Sequence, residues 1–346
     1  MTAAGVRVTT IAIGFIIAVG LVLVVFSAVG FRSTLAAISS ASRLVIAAIF
    51  VAVTLWACAW AYTFSIVLGI LDIEHGPVDA VLMFGNVLFA NSVAPSTYLG
   101  GEPIAAFLLA RHSDSDYETS FATVSSVDLL NYAPMVPLAG VGALYFTATA
   151  ALGRRLELVL LAGFAAIATV IVGIAYGWRH RRQAVAATAG ILGGISTRMS
   201  AIVPGIHAVS PPTLHRRLAL FVDEVERVAV DRRNLRRALI FSTVGWVWLS
   251  LALWLAVYAV GRTVPPEVAL FIVPLGAITN ILPLPGGLGS VESVLILLLV
   301  ATAGVPAATA AAATLLYRIA TYWLPLLFGI GTVAISHFTF RTEISR

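Results

Sequence analysis

The segment Pro283–Glu292, with sequence PLPGGLGSVE, lies between two apolar runs and constrains the fold more than any other stretch. Proline lacks a backbone donor and glycine is conformationally permissive, so a segment with two prolines and three glycines does not stay helical. In lipid, a broken backbone leaves polar groups unpaired unless protein or water pairs them, at several kcal/mol each. We therefore expect a re-entrant hairpin that lines a cavity.

The composition indicates the class of protein around this break. The chain has 346 residues, of which 60% are hydrophobic and 11% are charged. Soluble domains carry about 25% charged residues, so we expect a polytopic membrane protein. All 21 basic residues are arginines, mainly between apolar runs, and their placement gives no reason to expect a nucleic acid partner. The single cysteine and scattered histidines form no ligand pattern, so we expect no metal site and no cofactor.

Apolar runs of about 20 residues predict an all-α fold with about seven to nine transmembrane helices. The predicted spans are 8–29, 44–70, 121–148, 156–178, 238–260 and 307–338. Shorter apolar runs occupy 78–94, 104–110, 268–282 and 291–303, and the weakly hydrophobic stretch 183–209 is either a span or an interfacial helix. We treat residues 1–346 as a single membrane domain in the cell membrane.

Residues 179–237 differ from the rest because they concentrate arginine. Within them, residues 213–237 place apolar side chains near helical spacing among charges, which predicts an amphipathic surface helix. Arginine-rich loops favour the cytoplasmic side of a membrane. The segment is therefore predicted to be a cytoplasmic amphipathic connector.

A second break, PSTYLGGE at 95–102, has the same character as the first. At an offset of 190 residues the two regions correspond in four pairs, which are Pro95 and Pro285, Glu102 and Glu292, Asp128 and Arg318, and Tyr132 and Tyr322. Broken apolar segments at matching positions are typical of transporter repeats. We predict a first repeat half at 8–150 and a second at 238–338. The second half is inverted in the membrane if residues 183–209 do not span it.

Arg318 is the most informative charged residue. It lies about 16 Å into its predicted span at 1.5 Å per residue, near the midplane. A central arginine costs about 2.5–3.5 kcal/mol on insertion scales, so its side chain is expected to face protein or a wet cavity. Two interpretations remain open: a structural ion pair with Glu292 or Asp128, and a site where the guanidinium binds the phosphate of a lipid head group.

The carboxylates of Glu102 and Glu292 also have two interpretations. Each follows a glycine-rich turn, where the helix dipole favours a negative charge by about 0.3–1 kcal/mol, so capping alone explains them. Buried carboxylates could instead titrate and couple to a proton or cation. The candidate substrate-binding residues are Arg318, Glu292, Glu102, Asp128 and Tyr322. The candidate hairpin residues are Pro95, Gly100, Gly101, Pro283, Pro285, Gly286, Gly287 and Gly289.

Three C-terminal stretches resemble a family signature: PLPGGLGSVE at 283–292, GVP at 304–306 and LYRIATYWLPLLFG at 316–329. They are similar to the lysylphosphatidylglycerol synthetase transmembrane-region family, also called flippase-like domain proteins. The first-half motif GGEP at 100–103 is similar too, but family members often carry an arginine directly after Gly-Glu, and this chain has PIAA at 103–106. The resemblance implies an inner-membrane protein related to the lipid-translocating domain of the multiple peptide resistance factor.

The resemblance also implies a function. Better-known members fuse this region to a soluble aminoacyl-transfer domain, and none follows Arg346, so we expect a transporter and not an enzyme. The leading hypothesis is a translocase for a membrane phospholipid or a polyprenyl-linked, glycan-bearing lipid, with Arg318 holding its phosphate. The alternative is a membrane subunit that does not transport but docks a glycosyltransferase or lipid-modifying enzyme through residues 179–237.

Overall fold

The computed structural model describes residues 41–94, 101–113, 115–149, 211–282 and 284–344, with single positions and short runs between 20 and 39 and between 172 and 191. Every regular element in these residues is a helix. The helices are α1 Arg43–Ile70, α2 Pro77–Val93, α3 Glu102–Ser113, α4 Tyr117–Tyr132, α5 Met135–Thr149, α6 Pro211–Val230, α7 Arg232–Ala259, α8 Pro266–Ile278, α9 Ser290–Ala303, α10 Ala307–Arg318 and α11 Leu324–Ile344.

The prediction of an all-α membrane protein is confirmed. Four helical stretches of the described residues are long and apolar enough to cross a membrane, namely Arg43–Ile70, Arg232–Ala259, Pro285–Ala303 and Ala307–Ser336. Pro77–Val93 and Pro266–Ile278 are shorter apolar helices. The total of seven to nine transmembrane helices stays a prediction.

The predicted span across 121–148 is wrong. The helix α4 ends at Tyr132 and α5 begins at Met135, so two helices replace the single span. Pro134 lies between them, and it lacks a backbone donor and disfavours the helical conformation of the preceding residue. Hydropathy alone does not show this break, because the flanking residues are apolar on both sides.

The predicted surface helix across 213–237 is also wrong in its bounds. The amphipathic helix α6 ends at Val230, and Asp231 caps the start of α7 by accepting a hydrogen bond from the Asn234 backbone N–H at 3.1 Å. This hydrogen bond holds the pKa of the exposed Asp231 carboxyl below its usual range. The cap therefore contributes stability at neutral pH and loses it as the pH falls through the lowered pKa.

The long helices α1 and α7 pack along each other. Thr63 Oγ1 donates to the Ala238 carbonyl and Trp60 Nε1 donates to the Ser242 carbonyl, each at 3.3 Å. Farther along, the backbone of Gly245 lies against the Trp56 and Trp60 rings. Residue numbers fall along α1 as they rise along α7, so the two helices run antiparallel.

The helices on either side of this pair follow the same order. The helices α7 to α11 begin 188 to 190 residues after α1 to α5, in sequence order. Packing follows the same correspondence, since α2 packs on α11 and its counterpart α8 packs on α5. Both crossings have a glycine at the contact: Gly329 approaches α2 and Gly142 approaches Phe271.

Gly329→Ala is expected to lower stability by about 1–3 kcal/mol, the usual effect of overpacking. An added Cβ would lie 2.8 Å from the Gly85 carbonyl oxygen and 2.9 Å from the Phe89 nitrogen, and backbone atoms cannot give way locally. Gly331→Ala is the matched control on the same helix, because nothing lies within 4 Å of its added Cβ. Thermal unfolding of both detergent-purified variants measures the difference, and equal midpoints would contradict the close crossing.

Candidate functional site

The site is built around the turn between α8 and α9. After α8, a 3-10 turn at Thr279–Ile281 and a second at Pro285–Gly287 precede Ser290, so the predicted break in helical structure is present. Gly286, Gly287 and Gly289 have φ values of 54°, 66° and 84°, which favour glycine. Pro283 lies outside the described residues, and the re-entrant path of this segment stays a prediction.

Glu292 uses both carboxylate oxygens. Its Oε2 accepts a hydrogen bond of 2.6 Å from the Gly289 backbone N–H, which caps the start of α9. Its Oε1 accepts a hydrogen bond of 2.7 Å from Arg318 Nε, and the Glu292 side chain is only 3% exposed. Capping and ion pairing, which the sequence left as alternatives, are both made by this one residue.

Arg318 ends α10 and precedes a π-helical turn at Ile319–Trp323. Its side chain is 11% exposed and pairs with Glu292, not with Asp128. Its Nη2 donates to the Gly286 carbonyl at 2.8 Å, and its guanidinium carbon lies 5.2 Å from the centroid of the Tyr322 ring. No acceptor among the described residues binds Nη1. Arg318 is thus held in place and still has a donor to offer.

Tyr322 connects the second half to the first. Its hydroxyl donates to the Ser92 carbonyl at 3.3 Å, at the last turn of α2. Its ring fills the space above Gly286, where a Cβ would overlap it. The aromatic ring therefore supports the turn, the guanidinium and the contact between halves together.

A cavity of about 150 Å³ lies beside Arg318 and Tyr322. Both halves line it with aromatic and amide side chains, which include Trp56, Trp60, Asn91, Tyr132, Trp246 and Asn280. Its wall is held by hydrogen bonds to Asn131, from Ser242 Oγ at 2.7 Å and from Trp246 Nε1 at 2.6 Å. The cavity therefore joins one cation to aromatic faces and neutral polar groups.

The first half has a different cluster. Glu102 lies in the first turn of α3 and accepts a hydrogen bond of 3.1 Å from Ser125 Oγ. Asp128 is 7% exposed, and its buried Oδ2 has no hydrogen bond in the described part of the chain. Neither carboxylate lines the cavity that contains Arg318. The structure thus brings together Arg318, Glu292 and Tyr322, and leaves the other two candidates apart.

The other first-half hairpin candidates are only partly described. Pro95 and Gly100 lie outside the described residues. An added Cβ at Gly101 would overlap the Asn91 side chain, so this glycine permits close approach of α2. The role given to Gly101 as a packing residue agrees with this contact.

Sequence reasoning missed several cavity residues, among them Trp56 and Asn91. One signal was present: Trp56 and Trp246 are 190 residues apart, the offset that relates the two breaks, and both line the cavity. Asn91 and Asn280 have no such relation. They reach the cavity through the packing of α2 and of the turn after α8, which the sequence does not show.

Comparisons with known proteins agree with this architecture. The family model described as lysylphosphatidylglycerol synthase TM region matches residues 11–329. Two UPF0104 membrane proteins of Methanothermobacter thermautotrophicus are each 26% identical, one over 84% of this chain and 82% of the relative, the other over 93% and 92%. A UPF0104 membrane protein of Pyrococcus horikoshii is 27% identical over 70% of this chain and 72% of the relative. The family match includes both breaks and Arg318.

Proposed function

Since the chain belongs to the lysylphosphatidylglycerol synthase TM region family of membrane proteins, we propose that it translocates a lipid whose head group carries a phosphate. The observation that carries the proposal is Arg318, which is fixed by Glu292 and Gly286 beside a cavity between the two halves. A guanidinium binds phosphate oxygens through several N–H donors at once. Nη1 is the donor that remains for the ligand.

The head group that suits this cavity has a phosphate and little net charge. Glu292 already neutralises Arg318, so a bound phosphate adds a negative charge that needs another partner. The tryptophan rings of the cavity favour a cationic group, since an ammonium is attracted to an aromatic face. A zwitterionic phospholipid satisfies both requirements, and a polyprenyl-linked phosphate satisfies the first.

The arrangement of the halves supports alternating access. Helices α1 and α7 correspond in the repeat and run antiparallel, as an inverted repeat requires. In transporters of this kind the substrate site lies between the halves, near the midplane, and one half rocks against the other. In the proposal, the Tyr322–Ser92 contact closes the path on one side of the cavity.

The connector is proposed to lie at the cytoplasmic side of the cell membrane. Ion pairs fix it to neighbouring elements: Arg217 with Glu118 at 3.2 Å, and Arg227 with Asp72. A docked glycosyltransferase or lipid-modifying enzyme would use its exposed charged face. Such docking is compatible with translocation, and would be the main function only if the purified chain moves no lipid.

Arg318→Lys is expected to slow lipid translocation by about tenfold or more. Lysine keeps the charge but loses the fork of donors, and a hydrogen bond to a charged group contributes about 1.5–3 kcal/mol, where 1.4 kcal/mol is a factor of ten. The measurement is dithionite quenching of a fluorescent phospholipid in proteoliposomes. Arg262→Lys, at an exposed loop position, is the control. A folded Arg318→Lys protein with the wild-type rate would contradict the proposed role.

A further inference from the structure

We propose that Glu102 and Asp128 form a proton-binding site in the first half, where the two carboxyl groups share one proton and release it when the site opens to water. The site itself is independent of the transported molecule, whereas its coupling to lipid movement rests on the proposed function. The reaction is simple ionisation: the carboxyl O–H bond breaks, the electron pair stays on the carboxylate and the proton goes to water.

The geometry places both carboxyl groups at one contact. Helix α3 packs on α4, and Ser125 of α4 reaches Glu102 with its hydroxyl. Asp128 lies three residues farther along α4, on the same face as Ser125. The charges of Asp128 and Glu102 are close enough to interact. Both acids are therefore directed to the start of α3.

Asp128 itself indicates that a ligand is missing from this contact. Its side chain is more than nine-tenths buried, and its Oδ2 accepts no hydrogen bond from the described residues. A buried carboxylate without donors is strongly disfavoured, and a second carboxylate beside it raises that cost further. One proton removes a charge and supplies the missing donor.

The second half shows what the first half lacks. The residue that corresponds to Asp128 is Arg318, which neutralises Glu292 directly. At the same register, the first half therefore has two acids where the second half has an acid and a base. Neither Glu102 nor Asp128 forms an ion pair with a described arginine.

Other charged and titratable groups on the packed helices lie toward their ends or on the surface. Arg111 is in the last turn of α3, about 14 Å along the helix axis from Glu102. Arg217 of α6 pairs with Glu118, at the start of α4. The remaining groups on the helices that pack on α3 and α4 are Arg43, Cys58 and Tyr62 on α1, Asp79 on α2, His112 on α3, Tyr117 and Tyr132 on α4, Tyr145 on α5, His215, Arg216, Asp223, Glu224, Glu226 and Arg227 on α6, and Arg232, Arg233, Arg236, Arg237 and Tyr258 on α7.

Dicyclohexylcarbodiimide tests the proposal, because it adds to protonated carboxyl groups in apolar surroundings. The full chain in liposomes is treated at several pH values and the adducts are mapped by mass spectrometry. We expect labelling at Asp128 or Glu102 that is lost as the pH rises. Glu292 is the internal control and stays unlabelled, since Arg318 keeps it ionised. Asp128→Asn should abolish labelling at Glu102, because the remaining acid ionises alone beside Ser125.

Infrared spectroscopy gives a second readout that needs no reagent to enter the site. A carboxylic acid carbonyl band should be present in the wild type, be lost in Glu102→Gln and in Asp128→Asn, and persist in the exposed control Glu74→Gln. A band unaffected by these substitutions, or labelling suppressed by Na⁺ and not by raised pH, would overturn the proton site. Labelling without any lipid movement would instead remove the proposed function and leave this site intact.

Discussion

Glu292→Gln is expected to destabilise the protein by about 3–5 kcal/mol, the usual effect of removing one partner of a buried ion pair. Arg318 is 11% exposed and would keep its charge without a counter-charge. Glutamine still accepts the hydrogen bond from the Gly289 N–H, so the cap of α9 is retained and the loss reports the ion pair. Thermal unfolding in detergent measures the effect.

Two further variants make the result specific. Glu74→Gln, the same substitution at an exposed loop position, should leave the unfolding midpoint unchanged. The double variant Glu292→Gln with Arg318→Gln should recover most of the lost stability, because no unpaired charge remains buried. If Glu292→Gln unfolds at the wild-type temperature, the pair is not closed in the membrane-extracted protein and the geometry of the site is wrong.

Gly286→Ala is expected to destabilise the turn and to stop lipid movement. At φ 54° an alanine costs about 1–2 kcal/mol of backbone strain, and its Cβ would overlap the Tyr322 ring. Displacing that ring adds about 1–3 kcal/mol of overpacking and moves the aromatic face away from Arg318. The translocation rate and the unfolding midpoint should fall together.

Gly304→Ala separates the two contributions. Gly304 also has a positive φ, 61°, but nothing lies within 4 Å of its added Cβ. This variant therefore carries the backbone strain alone, should lose about 1–2 kcal/mol of stability and should keep its translocation rate. Equal losses of stability and rate in the two variants would show that the Tyr322 contact has no part in the site.

The apolar runs predicted the long helices well because hydropathy and helix length are linked in lipid. The run 44–70 became α1 within one residue, and the break after α8 was visible as glycine and proline. The misplaced boundaries have a common cause: neither the Pro134 break nor the Asp231 cap changes hydropathy or charge density enough to be visible. Such ends depend on single backbone donors and acceptors.

The site was predicted in part for a similar reason. A central arginine must have a partner, so the pairing of Arg318 was foreseeable, but the choice between Glu292 and Asp128 was not. The turn at Gly286 decides it, because its carbonyl and the Tyr322 ring orient the guanidinium toward Glu292. The cavity residues Trp56 and Asn91 come from packing between distant helices, which no local pattern records.

The most direct test of the central claim compares two fluorescent lipids in the same proteoliposomes. One carries a phosphate in its head group, such as a labelled phosphatidylethanolamine, and the other is a labelled diacylglycerol derivative without phosphate, chosen for slow spontaneous flipping. If Arg318 binds phosphate between the halves, the wild-type protein accelerates only the phosphate-bearing lipid, and Arg318→Lys removes that acceleration. Equal acceleration of both lipids, or none of either, would contradict the account.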